Sequence, residues 1–316
     1  MKTKSIYLKD IKQGEKISSS FLAAEKNMAF SLKGAPYLNV KLKDKTGELD
    51  AKVWDNAIEF DQLFKKGDII AIEGRANTYK NSIQISIISL KKCNWEEVEP
   101  ADYLPVAKGD VAAMYSELLG HLDMVQSKPL RDLLNAFFKA EKTAELFKRA
   151  PAAKGFHHIY LGGLLEHTLS VVRLLTKIAD HYQHLDRDML IAGGLLHDIG
   201  KIYEFSYDQL IEYSDEGRLI GHIVMGVEMI DKEIAAIPDF PAQLALELRH
   251  IILSHHGEFE FGSPKRPKTM EALAVHYMDD LDAKLNAFQT FTAEGNGDSD
   301  WTNYNRFFER YLYKKK

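Results

Sequence analysis

The spacing of apolar residues changes once along this 316-residue chain, and that change restricts what it can fold into. Before about residue 95, apolar residues alternate with polar ones in short runs: PYLNVKLKD, GELDAKVWD, GDIIAIEGRA and NSIQISIISL. A period of two is the pattern of strands with one buried face. Asp44-Lys45-Thr46-Gly47 reads as a hairpin turn between the first two runs, Lys66-Gly67-Asp68 precedes the third and Lys80-Asn81 the fourth. FDQLFKKGD has a short helical look. From Asp110 onward apolar residues fall at i, i+3 and i+4 in about seven segments, from AAMYSELLGHL to TMEALAVHYMDDLDAKLNAFQTF. Residues 96–109, EEVEPADYLPVAKG, carry two prolines, an acidic run and little periodicity, as a linker would.

About five strands with a helix between the third and fourth describe an OB-fold barrel. The expectation is therefore a multi-domain α and β chain: an OB-fold over 1–95, a linker over 96–109 and an all-α domain over 110–316. The chain is long for a single core, which suits two domains. Residues 1–95 hold 17 Lys+Arg against 11 Asp+Glu, and the remainder 24 against 35. A basic front half fits a polyanion-binding module and an acidic back half one that collects cations. Cys93 is the only cysteine, so no intrachain disulfide forms and a reducing, cytoplasmic setting is expected. The first residues lack the apolar segment of a secretory signal, and no stretch is long and apolar enough for a bilayer.

Seven metal-type ligands follow in order in the helical half: His167, His197, Asp198, His222, His255, His256 and Asp279. A lone His-Asp pair arises often by chance; the ordered set carries the weight. His167 lies on a helix face in LEHTLSVV, and His197 and Asp198 lie near a helix C-terminus before Gly200, which reads as a C-cap. His222 opens a helix, His255 and His256 end one, and Asp279 sits within the last. Ligands from several helices meeting inside a bundle are a common way to hold metal. Imidazoles with carboxylates suit Mn, Fe, Co, Ni or Zn better than Ca, and the lack of cysteine ligands argues against a structural zinc site. Asp280 competes with Asp279 for the last position, and Asp282, one turn on, is placed to support a ligand. His121, His181, His184 and His250 read as surface or satisfied core residues.

The stretch GFHHIYLGGLLEHT, with GLLHDIGK, IGHIV, ILSHHGEFEFGSP and DDLDAKLNAF, resembles the YhaM-type 3′-to-5′ exoribonucleases, which join an N-terminal OB-fold to a C-terminal HD domain. The resemblance runs over nearly the whole chain, including the ending WTNYNRFFERYLYKKK. It implies two divalent ions, manganese foremost. His167, His197, Asp198 and Asp279 would hold one, and Asp198 would bridge to a second held by His222, His255 and His256. His197, Asp198 and Lys201 would be catalytic, with Lys201 meeting the substrate phosphate; an exposed lysine after a helix cap is its plainer reading. His157 and His158 would shape the pocket or orient His167. The implied reaction removes nucleoside 5′-monophosphates from the 3′ end of single-stranded RNA, with single-stranded DNA tolerated by some members.

In the front half, alternation turns Leu38, Val40, Leu42, Leu49, Ala51 and Val53 inward and leaves Tyr37, Lys41, Lys52 and Trp54 outward. These four would form a stacking and phosphate surface, joined by Arg75, Tyr79 and Lys80 in or near the loop between the last two strands. Alternatively, Tyr37 and Trp54 pack against the helical domain. Two other functions fit the pattern: an HD-type phosphohydrolase of nucleotides or cyclic dinucleotides, and a nucleic-acid-binding protein with an idle metal site. Several helices are apolar enough to pair, which leaves a homo-oligomer open.

Overall fold

A computed structural model describes the chain apart from residues 1–3, 5, 80–81, 95–96, 105, 108, 154–159, 207–210, 295–298 and 315–316. Its contacts divide it into two compact units, the first ending at Val106 and the second beginning at Ala107.

The first unit is a closed barrel of β1 (Lys16–Phe30), β2 (Pro36–Asp44), β3 (Gly47–Val53), β4 (Ile69–Tyr79) and β5 (Ser82–Cys93), in the order β1-β2-β3-β5-β4. β3 and β5 pair in parallel and the other neighbours antiparallel, with α1 (Ala57–Leu63) between β3 and β4. That is the OB-fold. β1 is the strand with the weakest alternation in sequence: FLAA places three buried residues in a row, Phe21, Leu22 and Ala23, and the register shifts between Ala23 and Glu25. The expected turn at 44–47 is present, with Asp44 opposite Gly47 and the Asp44 carboxylate accepting from Thr46 N at 2.8 Å. Within the stretch read as a linker, Tyr103 is buried and its hydroxyl lies 2.6 Å from Ser20 Oγ, while Asp102 accepts from Tyr7 and Lys45. These residues are held on the barrel because an aromatic ring and a carboxylate both find partners there.

The second unit is helical: α2 (Val111–Asp123), α3 (Lys128–Phe138), α4 (Glu141–Arg149), α5 (Gly163–His181), α6 (Arg187–Leu196), α7 (Lys201–Glu204), α8 (Asp215–Leu219), α9 (His222–Ala236), α10 (Ala242–Ser254) and α11 (Met270–Glu294). A small ribbon of Phe205–Ser206 and Glu212–Tyr213 interrupts it. The sequence run from Pro129 to Ala150 is two helices; the break after Phe138 turns Phe147 edge-on to Phe138 at 5.1 Å. α6 is apolar on every side, and Met189 to Leu196 are all buried, so it is the central helix of the bundle. Its Gly194 lies so close to α5 that a Cβ there would come within 2.6 Å of Leu175. Among the described residues, no helix is long and apolar enough to cross a membrane.

Candidate metal centre and nucleic-acid face

The seven candidate ligands converge from α5, the end of α6, the start of α9, the end of α10 and the middle of α11. They form two groups, His167/His197/Asp279 and His222/His255/His256, each with ligand atoms within 4.8 Å of one another. Asp198 lies between them. Its Oδ2 is 3.4 Å from His197 Nε2 and 3.6 Å from His167 Nε2, whereas its Oδ1 is 3.4 Å from His222 Nε2 and 3.5 Å from His255 Nε2. One carboxylate oxygen therefore serves each group. Asp279 Oδ1 is 3.1 Å from His167 Nε2, while Asp280 pairs with Lys284 at 2.7 Å, so Asp279 is the carboxylate brought to the site.

Each imidazole is oriented from behind. His197 Nδ1 donates to Gly194 O, His255 Nδ1 to Ile252 O and His256 Nδ1 to Phe261 O, at 2.8, 2.8 and 2.9 Å. A carbonyl can only accept, so the proton sits on Nδ1 and the Nε2 lone pair faces the group. His167 Nδ1 donates to Asp282 Oδ2 at 2.7 Å and His222 Nδ1 to Glu204 Oε1 at 2.9 Å. Asp282 thus stands where the sequence suggested, and Ser170 Oγ donates to its other oxygen. Glu204 was not foreseen. It follows no motif and meets His222 across a break in the helices, so only the fold shows it.

Asp198 Oδ1, His222 Nε2 and His255 Nε2 are buried without a hydrogen-bond partner. Three acceptors facing one another in a protein interior repel unless a cation or a proton lies among them. Their geometry and donor types fit a divalent ion of the transition series. Electrostatics agree on the outer histidine: burial, then the neighbouring His255 and His222, hold the His256 imidazole down to about 3, in its neutral, ligating form. His167 is pushed the other way, to about 9: burial opposes its charge, and the Asp279 and Asp282 carboxylates outweigh that. Asp198 is kept well below the usual carboxylate range, because Lys201 and His197 overcome the cost of its burial.

Lys201 is buried, and its ammonium donates to Asp198 Oδ2 at 2.5 Å. The structure places it on the central carboxylate. Gly200 is not a left-handed C-cap: its φ is −62°. A glycine is needed there because a Cβ would stand 2.1 Å from the His222 carbonyl oxygen, so α7 and α9 touch through backbone. His157 and His158 lie outside the described residues.

On the barrel, Leu38, Val40, Leu42, Ala51 and Val53 are buried as expected, and Leu49 partly so. Tyr37 and Trp54 stack with centroids 4.9 Å apart, and the Lys52 ammonium sits over both rings, at 4.6 and 5.1 Å. Trp54 remains 49% exposed. Lys41 is drawn toward Glu25 at 3.8 Å. Arg75 lies within β4, not in the loop: its register partners are Ser86 and Lys16, and its Nε donates to Gly14 O. Tyr79 ends β4 and lines, with Asn39, Asp50, Lys52 and Gln84, a groove of about 410 Å³. Lys80 lies outside the described residues. Lateral pairing sets Asn39, Lys52, Ser86, Arg75 and Lys16 in one row across the outer surface. Sequence spacing could not show that row, because it depends on the parallel β3–β5 register.

Fold and site define a protein that joins an OB-fold barrel to a helical HD domain carrying two groups of histidine and aspartate side chains. The HD domain family matches residues 164–284, and an OB-fold nucleic acid binding domain family matches residues 28–92. A third family, TraI_2, matches residues 111–204. Among solved structures, the chain is similar to the second OB-fold domain of replication protein A from Methanococcus maripaludis, at 20% identity over 28% of this chain and 94% of that one, with a TM-score of 0.22. It is similar to a mitochondrial single-stranded DNA binding protein of S. cerevisiae at 15% identity, over 26% and 98%, with a TM-score of 0.22. The HD domain of the L. monocytogenes phosphodiesterase PgpH matches at 19% identity, over 40% and 73%, with a TM-score of 0.29.

Proposed function

We propose that this protein is a metal-dependent phosphodiesterase that removes nucleotides from the 3′ end of single-stranded RNA, with single-stranded DNA as a second substrate. The observation that carries this reading is the Asp198 carboxylate with one oxygen toward each imidazole group, in a chain whose N-terminal unit is an OB-fold barrel matching a nucleic-acid-binding family. Two divalent ions held there, manganese first among them, would supply the Lewis acidity that phosphodiester hydrolysis needs. The chain's own residues do the rest. The Nδ1 hydrogen bonds turn the Nε2 atoms of the five imidazoles toward the two groups, Asp282 and Glu204 fix two of them, and Lys201 holds Asp198 in place while offsetting its charge. The barrel contributes affinity that does not depend on sequence, through Tyr37 and Trp54 as stacking faces and Lys52, Arg75 and Lys16 as phosphate partners.

The test is a denaturing-gel time course with manganese and 5′-labelled single-stranded RNA, beside a 3′-blocked copy and the variants His197→Ala and Asp198→Ala. A ladder shortening from the 3′ end, slowed by the block and absent in both variants, is the expected result. Intact RNA would turn the reading toward nucleotides or cyclic dinucleotides as substrates. Trp54→Ala is expected to weaken RNA binding about 5- to 150-fold at unchanged melting temperature, as loss of one stacked base requires. Lower stability with unchanged binding would make Trp54 a packing residue.

A further inference from the structure

The segment after the paired histidines, GEFEFGSPKRPK, is an ordered loop that leaves two aromatic rings uncovered. Gly257 enters it with φ +78°, a conformation that side chains rarely adopt, and a Cβ there would collide with the His276 ring. Ser263 is buried; its Oγ lies 3.2 Å from Leu253 O and 2.6 Å from Lys265 O, and its amide reaches Glu258 O. Lys265 N donates to Leu253 O, and Lys268 N donates to His250 Nε2 at 2.8 Å. The second part of the loop is therefore pinned to α10, and the turn before it is closed by Phe261 N and Ser263 N on Glu258 O. Yet Phe259 and Phe261 are 61% and 60% exposed. Rings held out by a fixed backbone add little to the core and lose little entropy on meeting a ligand.

Their place gives them a partner. The Phe261 carbonyl is the acceptor that orients His256, so the loop and the His222/His255/His256 group form one piece. The Arg266 guanidinium lies 5.1 Å from the Phe259 ring centroid and is held there by Glu258 at 2.7 Å, with Lys265 and Lys268 in the same segment. Two exposed rings, one with a guanidinium at its face, in a loop one hydrogen bond from the His222/His255/His256 group, match a nucleotide: base on ring, phosphate on cation.

We infer that Phe259 and Phe261, with Arg266 bracing Phe259, form a stacking subsite for a base at the 3′ end of the strand being cleaved. They are positioning residues. The inference rests on the strand-cleaving reading above.

Its test uses the full chain with manganese and two 5′-labelled RNA strands, one ordinary and one ending in abasic residues. Phe259→Ala/Phe261→Ala is expected to lower kcat/KM on the ordinary strand about 5- to 150-fold, to leave metal content unchanged, and to be rescued by Phe259→Tyr/Phe261→Tyr. On the abasic strand the wild-type protein should already be slow, and the alanine substitutions should add nothing. An equal loss on both strands, no loss on either, or a loss that follows metal content would overturn the subsite. If the metal-loaded wild-type protein cleaves neither strand, the strand-cleaving reading fails, and the subsite with it.

Discussion

Every imidazole of the two groups has its Nδ1 tied to an acceptor outside them, so the site depends on residues that touch no ligand atom. Asp282 and Glu204 each support one histidine of a different group. Losing a carboxylate behind a ligating histidine costs about 10- to 100-fold in metal affinity. Asp282→Asn should therefore weaken the His167/His197/Asp279 group and Glu204→Gln the His222/His255/His256 group. Titration calorimetry should show one weakened site in each variant, and equal weakening of both sites in either would refute the assignment. Lys4 is a buried lysine of the barrel unit. Its ammonium lies 3.2 Å from Asp44 and 4.0 Å from the Phe21 ring centroid, and burial, only partly offset by Asp44, lowers its pKa from 10.5 to about 8. Between those values the unfolded chain binds more protons than the folded one, so this residue adds stability as pH rises through that window. The gain totals about 3 kcal/mol. Denaturant melts across the window should show Lys4→Met losing this rise relative to wild type; parallel curves would mean the lysine is hydrated.

At the scale of elements, the site is set by how closely helices approach. A Cβ on Gly200 would stand 2.1 Å from the His222 carbonyl oxygen and 2.8 Å from Gly226 N, both backbone atoms that cannot yield without moving α9. On Gly194 it would meet the ends of flexible side chains, Leu175 at 2.6 Å and Val172 at 3.1 Å. Gly200→Ala should thus cost about 3 kcal/mol or more and release metal from the His222 group. Gly194→Ala should cost about 1–2 kcal/mol with metal retained. Melting temperature and metal content measured together separate the two, and equal metal loss would contradict the geometry. This contrast marks what the sequence makes legible. Period two and period 3.6 show barrel strands and bundle helices, and the seven candidate ligands stand at the helix positions that local signals suggest. Gly200 is equally visible, yet its reason is a contact with a residue 22 positions on, which no local signal encodes. Glu204 behind His222, the docking of Tyr103 and the row through Arg75 depend likewise on tertiary register.

At the scale of the whole molecule, the barrel core around Phe21, Leu38 and Ile70 and the helical core around Leu134, Phe138 and Leu190 are separate clusters. All seven candidate ligands belong to the helical unit. A ligand that binds one folded unit stabilises that unit by mass action, by about 4 kcal/mol at a thousandfold excess over Kd. For a unit of this size that corresponds to about 10 °C. Calorimetry of the full chain should therefore show two unfolding transitions. Chelation should lower the one that carries the loss of far-UV helical signal and leave the barrel transition in place, and restoring manganese should reverse the shift. The helical unit has three buried acceptors without a hydrogen-bond partner, Asp198 Oδ1 with His222 Nε2 and His255 Nε2, at the meeting point of α6, α9 and α10, so an ion bound there would couple its folding to its metal content. A single transition displaced as a whole by chelation would mean that the two cores unfold together, and a helical transition indifferent to chelation would mean that the cluster holds no ion.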